Sequence, residues 1–277
     1  MMQVRKLSPN IGAEVTGIDL RQIDAETAER LNRTVLDNVC MVIRDQQFTP
    51  EEFDRAVRIF GEVMDQDNPQ YSFPNLPGIK RHSNFNVDAY GNRVKEGIVW
   101  HTDGAYREQP PKYTILYAVE LPDSGGNTNV VNMRAAYRWL PEETRKRLDG
   151  MTTNFVRLGS AARRRSPNIV ATVAREGQTV RQHPLVRNID GTGERGIWFH
   201  PNNVENIVGM DPEETQEFLH DLMDKTIRPE FVYSHAWKLG DVFMWDNRSS
   251  MHKVSFDYDF SQHRLLYHAT ILGERPH

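Results

Sequence analysis

Apolar residues recur at helical spacing in only a few stretches of this chain. Phe53, Val57 and Phe60 share one face of a segment opened by Thr49-Pro50-Glu51-Glu52 and closed by Gly61. A threonine cap, a proline at the first helical position and a glutamate three residues after the cap make a capping box, so a helix starts here. Asp211-Pro212-Glu213-Glu214 repeats the device ahead of Phe218, Leu219, Leu222 and Met223. Ala28, Leu31 and Val35 predict a third helix over 25–39. A fourth is predicted over 134–148 with a break at Leu140-Pro141, because proline cannot continue the hydrogen-bond ladder. All four read as packing helices. Elsewhere the pattern changes to short strand-like runs at 40–44, 114–119, 128–132, 196–200, 231–235, 242–245 and 264–272, punctuated by glycine and asparagine. Many short strands with a few helices predict a mainly β fold, a sandwich or jelly roll with helices packed outside. The segment 156–182 departs from both patterns and contains Arg163-Arg164-Arg165. Such a cluster is ordinarily a solvated loop; its sharper reading is a mobile lid over an active site.

The chain has 277 residues, enough to bury a substantial core in a single domain spanning 1–277. A net charge of −4 disfavours nucleic acid and anionic membranes as partners, since both select a positive field. No apolar run reaches the length of a signal peptide or of a bilayer span, so a cytoplasmic protein is expected. Cys40 is the only cysteine, which rules out an internal disulfide and a thiolate metal cluster.

Candidate chemistry begins at Trp100-His101-Thr102-Asp103-Gly104. With ten histidines and nineteen aspartates, a His-x-Asp pattern arises by chance about 0.7 times in a chain of this length, so alone it says little. Its company matters more. On a strand, positions i and i+2 face the same side, and His101 and Asp103 could then reach one ion together. His252, just past Trp245-Asp246-Asn247-Arg248, is the natural third ligand, because a jelly roll lays remote strands side by side. Two histidines and a carboxylate on one face of a metal suit a non-haem iron(II) oxygenase with open positions. Arg264 follows twelve positions later on a strand that puts Arg264, Leu266 and His268 on one face. A buried arginine there needs an anion, either a structural carboxylate or a ligand. Two rival readings stand beside the oxygenase. One is a metal-dependent hydrolase or isomerase on the same scaffold, with zinc or manganese activating water. The other is a non-catalytic β-sandwich binding protein with surface histidines.

The residues together resemble the taurine/2,4-dichlorophenoxyacetate dioxygenase family, which uses iron(II) and 2-oxoglutarate. The similarity runs through Gly12-Ala13-Glu14-Val15-Thr16-Gly17-Ile18-Asp19-Leu20, Phe60-Gly61, Trp100-His101-Thr102-Asp103 and Pro122-Asp123-Ser124-Gly125-Gly126-Asn127-Thr128. It continues through Asn132-Met133-Arg134-Ala135-Ala136-Tyr137, His183-Pro184-Leu185-Val186-Arg187, Gly240-Asp241-Val242-Phe243-Met244-Trp245-Asp246-Asn247-Arg248, His252 and Arg264. The resemblance implies a double-stranded β-helix of the jelly-roll, cupin-like kind, with His101, Asp103 and His252 as iron ligands. It implies that Arg264 and the Thr128 hydroxyl grip the distal carboxylate of 2-oxoglutarate, and that O2 is the oxidant. The implied outcome is succinate, carbon dioxide and a hydroxylated small molecule, or a cleaved one where the hydroxyl lands beside a heteroatom. Asp103 argues against halogenation, for which that carboxylate is missing in related halogenases. A homo-oligomer, dimer or tetramer, is implied as well. The hydrolase or isomerase reading has no use for a dicarboxylate grip by Arg264 and Thr128, and the non-catalytic reading predicts no stoichiometric iron binding.

The pattern departs from the two best-known members at one position. There a second arginine, four residues after the one that holds 2-oxoglutarate, grips the substrate's sulfonate or carboxylate; this chain has His268. An imidazole offers no fork of donors and is only partly charged near neutrality. The histidine that helps bind taurine's sulfonate corresponds loosely to Gln66. A substrate other than taurine is therefore expected, neutral or weakly anionic at this end, unless Arg81, Arg107 or the 163–165 cluster supplies a relocated anion site. Asn84, Tyr106, Trp245 and His268 are the expected pocket walls.

Overall fold

The computed structural model describes residues 2–165 and 178–277, without the side chains of Arg164 and Arg165; of the expected lid, 166–177 lies outside the described residues. The first half runs β1 (Gln3–Lys6), β2 (Ala13–Thr16), α1 (Ala25–Asn38), β3 (Cys40–Ile43), α2 (Pro50–Val57), β4 (Ser72–Phe73), β5 (Leu76–Ser83), β6 (Pro111–Glu120), β7 (Thr128–Asn132), α3 (Met133–Trp139) and α4 (Glu142–Asp149). The second half runs β8 (Thr152–Phe155), α5 (Ser160–Arg165), β9 (Arg181–Pro184), β10 (Val186–Ile189), β11 (Glu194–Ile197), β12 (Val204–Ile207), α6 (Pro212–Thr226), β13 (Val232–His235), β14 (Val242–Asp246), β15 (Ser250–Val254) and β16 (Leu265–Leu272).

Eight strands form one sheet in the order β1-β2-β3-β14-β6-β16-β5-β4, and a second sheet has the order β13-β7-β15. Sequence-remote strands thus become neighbours, as a jelly roll requires. Alternation along the central strands divides the core. Met41 and Ile43, Ile115 and Tyr117, Val242 and Met244, and Ala269 and Ile271 pack with Leu31 and Val35 of α1 and Phe53 and Val57 of α2. Their alternates Cys40 and Val42, Leu116 and Ala118, Phe243 and Trp245, and Leu266 face the other way and pack with Val130 of β7. The small sheet therefore covers the inner face of the large one. Its own far side, with Val131 and Met251, joins α3, α6 and the smaller sheet β12-β8-β9 in a third cluster.

Both capping boxes form as read, at Thr49 and at Asp211. The helix at 50–57 ends through a 3-10 turn, Arg58–Phe60, and Gly61 leaves it at φ +135°, open to glycine and strained for other residues. The stretch over 134–148 is two helices on either side of Leu140-Pro141. Of the expected strands, 196–200 stops at Ile197, and Trp198 to His200 run without regular pairing. β5 was not among the expected strands, because Pro77 and Gly78 mask its alternation; pairing with β16 organises it from Lys80 onward.

Phe53 is fully buried, and its ring stacks on Tyr117 with centroids 5.8 Å apart. Replacing Phe53 by Ala should cost about 3–5 kcal/mol, read as a lower urea midpoint with metal binding retained, because the cavity is on the opposite face of the sheet.

Candidate active site

His252 sits on β15 directly opposite Val130 of β7. Since Met251 packs outward into the third cluster, the alternation turns His252 toward the space between the sheets. His101 is stitched to it by two backbone hydrogen bonds, His101 N–H to His252 O at 3.1 Å and His252 N–H to His101 O at 2.8 Å. Here the structure corrects the strand geometry expected for His101 and Asp103. His101 makes only this single bridge, and Asp103 opens a turn. Gly104 takes φ +60° in that turn, where an added Cβ would stand 2.7 Å from Pro111 Cδ. The turn, not a period-two strand, swings the carboxylate back toward the imidazoles. Asp103 Oδ1 lies 3.6 Å from His101 Nε2, and Oδ2 lies 3.7 Å from His252 Nε2. One ligand atom from each of the three residues falls within 4.8 Å of the others.

Hydrogen bonds set the direction of His101 and Asp103, whereas the His252 Nδ1 has no hydrogen-bond partner among the described residues and its ring is held by packing. Val99 O accepts from His101 Nδ1 at 2.7 Å, which places the proton on Nδ1 and the lone pair on Nε2. Trp245 Nε1 donates to Asn247 Oδ1 at 3.1 Å, Asn247 Nδ2 donates to Thr114 Oγ1 at 2.8 Å, and Thr114 Oγ1 donates to Asp103 Oδ2 at 2.5 Å. Asn247 O accepts from Thr102 Oγ1 at 2.7 Å and from Trp198 Nε1 at 3.1 Å. His252 lies against Trp245 and His101, with ring centroids 4.4 and 4.1 Å apart. Burial alone would raise the Asp103 pKa, but His252, His101 and the Thr114 hydroxyl together hold the carboxyl well below its ordinary range. Burial, reinforced by His101, pushes His252 down to about 3. An anionic carboxylate and a neutral His252 imidazole are donors that a divalent metal takes without first displacing protons.

Arg264 lies just ahead of β16, 3% exposed. Its backbone N–H donates to Asn84 Oδ1 at 2.9 Å, and its Nε donates to Gly126 O at 3.2 Å. Among the described residues it has no carboxylate partner, and Nη2 is buried without any acceptor. Burial lowers its pKa to about 10. A buried guanidinium left this way is costly unless an anion arrives. The Thr128 hydroxyl is also buried, and Trp237 ties it to the arginine: its Nε1 donates to Thr128 Oγ1 at 3.2 Å while the guanidinium lies 5.9 Å from its ring.

A cavity of about 440 Å³ opens onto the triad and is also lined by Thr128, Tyr106, Trp245 and His268. Neither Asn84 nor Arg264 is in its wall; both line a smaller adjoining pocket that shares His82 and Glu96 with it, where Asn84 supports the backbone of Arg264 and holds the 260–262 loop through Phe260 O and Gln262 O. Burial, then Lys80, push His268 down to about 3, so that ring is neutral, and its Nδ1 has no partner among the described residues. Of the cations considered for a relocated anion site, Arg107 lines the cavity but pairs with Asp67, Arg163 pairs with Glu205, and Arg81 is exposed and lies over Phe73. Lys80, His82, Glu96 and His200 also line the cavity, and none was singled out from the sequence. Asn202 N–H donates to His200 Nδ1 at 3.1 Å, which puts the proton of that neutral ring on Nε2. Single polar residues in unpatterned stretches give no periodic signal that would have marked them.

A family model described as "Taurine catabolism dioxygenase TauD, TfdA family" matches residues 3–270. The alpha-ketoglutarate-dependent 2,4-dichlorophenoxyacetate dioxygenase of Cupriavidus pinatubonensis is 29% identical, over 97% of this chain and 96% of its own length. A crystal structure of a taurine dioxygenase from Burkholderia xenovorans aligns with a TM-score of 0.81 at 29% identity, covering 99% of this chain and 90% of that one. A structure of AAD-2 in complex with Mn(II) and N-oxalylglycine aligns with a TM-score of 0.83 at 27% identity, covering 100% and 99%.

Asn247→Ala removes the link that aims Asp103, so Mn(II) or Fe(II) affinity should fall about 10–100-fold, measured by calorimetric titration; unchanged affinity would show the link to be idle. His252 and His268 stay neutral in the folded chain down to about 3, whereas unfolded histidines take protons below about 6.5. The unfolded state therefore binds more protons as pH falls from about 6.5, and the metal-free protein loses stability in that window. The melting temperature should drop between pH 7 and pH 5, and the His268→Gln variant should show a shallower drop.

Proposed function

The chain belongs to the taurine catabolism dioxygenase TauD, TfdA family, and from that membership we propose that it hydroxylates a C–H bond of a small organic molecule other than taurine. Where the hydroxyl lands beside a heteroatom, the product then breaks at that bond. The family places the chain among the oxidoreductases, with Fe(II), 2-oxoglutarate and O2 as its cofactor and cosubstrates. When bound, these supply oxidative decarboxylation of the keto acid coupled to hydroxylation, one oxygen atom going to succinate and one to the product, with CO2 released. In this reading His101, Asp103 and His252 hold the iron and are the catalytic residues. Arg264 and Thr128 hold the distal carboxylate of 2-oxoglutarate.

The observation that carries the reading is the convergence of three donor atoms within 4.8 Å, in a chain that also buries a guanidinium with no carboxylate partner among the described residues. A hydrolase needs the first feature and has no use for the second. Trp245 closes the wall behind His252, Tyr106 is held at the mouth by donating its hydroxyl to Asp67, and both limit water around the reacting group. The choice against taurine is supported by the neutral His268 and by Gln66, whose Nε2 is already given to Gly78 O at 2.9 Å. We take residues 1–277 as one catalytic domain working in the cytoplasm as a homo-oligomer, dimer or tetramer. No helix among the described residues is long and apolar enough to cross a membrane.

Adding Fe(II) and 2-oxoglutarate without oxygen should give a visible charge-transfer band. His101→Ala and His252→Ala should abolish it. Arg264→Met should keep it but require roughly 10-fold more 2-oxoglutarate or beyond, the equivalent of a charged hydrogen bond of about 1.5–3 kcal/mol. A colourless wild-type mixture would sink the proposal.

A further inference from the structure

Directly across the ladder from His268 stands a buried cation. Lys80 of β5 is its Cα partner, and because Ile79 packs into the helix-facing core, alternation turns Lys80 and His82 toward the cavity. The Lys80 side chain is 9% exposed and pairs with Glu96, which arrives from the irregular segment ahead of Trp100. Glu96 Oε2 also takes His82 Nδ1 at 3.1 Å. Burial opposes ionisation of Glu96, but His82 and Lys80 hold its carboxyl well below the ordinary range. Burial lowers His82 and His268, so both imidazoles are neutral. This end of the cavity therefore holds one positive and one negative charge, with no net sum.

Neither member of the pair is saturated. Both contacts of Glu96 fall on Oε2, leaving Oε1 without a partner among the described residues. The Lys80 ammonium has three N–H donors, and Glu96 is its only hydrogen-bond acceptor among the described residues. Lys80 is buried while Glu96 is 31% exposed toward the cavity, so the spare capacity of the pair faces the space a ligand would enter, where water fills it in the ligand's absence. A lone anion docked on Lys80 would face the Glu96 carboxylate, and a lone cation on Glu96 would face the ammonium. A head that carries both signs side by side satisfies both and leaves the local sum at zero.

We propose that Lys80 and Glu96 form the substrate's head-group subsite and take a zwitterionic head of the amino-acid type, its carboxylate on Lys80 Nζ and its ammonium on Glu96 Oε1. The rest of the substrate then extends along the cavity toward His101, Asp103 and His252, beside the neutral face of His268. Where the resemblance led to the expectation of a cation at position 268, the cation stands instead on the neighbouring strand with a counter-charge beside it, which changes the ligand from an anion to a zwitterion. This inference rests on the oxygenase reading and narrows its substrate class.

The test uses the full chain with Fe(II) and 2-oxoglutarate. The twenty protein L-amino acids are each compared with their N-acetyl and methyl ester derivatives. The readouts are the anaerobic shift of the charge-transfer band and the succinate formed in air. At least one free amino acid should shift the band and raise succinate roughly 10-fold above the substrate-free rate, with both derivatives at least about 10-fold weaker. Glu96→Gln should erase the discrimination against the N-acetyl form, and Lys80→Met that against the ester, each through KM more than kcat. Circular dichroism checks that the variants fold, and the wild-type selectivity ratio stands without them. Equal binding of free and blocked forms, no response to any free amino acid, or unchanged selectivity in folded variants would each overturn the assignment. A wild-type protein that shows the band with 2-oxoglutarate alone but ignores amino acids fails only this inference; one that shows no band fails the oxygenase reading itself.

Discussion

The site depends on one buried amide. Asn247 receives the Trp245 indole proton, passes a proton of its own to Thr114, and leaves Thr114 only one place to donate, the Asp103 carboxylate. Because each donor in the row is committed by the one before it, the carboxylate has a defined orientation even though it stands on a turn. The same residue's carbonyl fixes Thr102 and Trp198. Asn247 thus ties β14, β6 and the turn after His101 into one unit, and a change in any of the three would be felt at the triad. Such supporting contacts are often as decisive for a metal as the ligands.

Around that unit the electrostatics are arranged to avoid excess charge. His252, His268, His82 and His200 are all driven toward neutrality first by burial. The charges that remain are placed where an opposite charge is waiting or can arrive: Asp103 among imidazoles, Glu96 against Lys80, and Arg264 with an unsatisfied nitrogen. Gly125 and Gly126, at φ +75° and +69°, let the chain approach both Asp257 and the Arg264 side chain more closely than a Cβ would permit.

The helices were legible because their signals are local: a capping box and an apolar stripe lie within a dozen residues. The strands that carry the triad's neighbours, 128–132 and 242–245, were legible by their apolar runs. Short strands such as β8 and β12 offer too few alternations, and β5 is disguised by Pro77 and Gly78. His101, Asp103, His252 and Arg264 could be named from the chain, but how Asp103 reaches the others could not, since a turn built on Gly104 depends on Pro111 seven positions later. Asn84 was read as a wall and stands instead behind Arg264, because a strand end and a following loop meet only in three dimensions. Lys80 and Glu96 escaped notice for the same reason: their pairing is set by the β5–β16 register and an irregular segment, neither of which leaves a periodic trace.

The unsatisfied guanidinium of Arg264 has a bearing on the life of the protein apart from turnover. A folded chain that keeps such a group waiting is less secure at rest than in use, and any dicarboxylate that seats there contributes its binding free energy to the folded state alone. Under the proposed seating of 2-oxoglutarate on Arg264, the resting lifetime of the folded molecule is tied to the supply of that small metabolite.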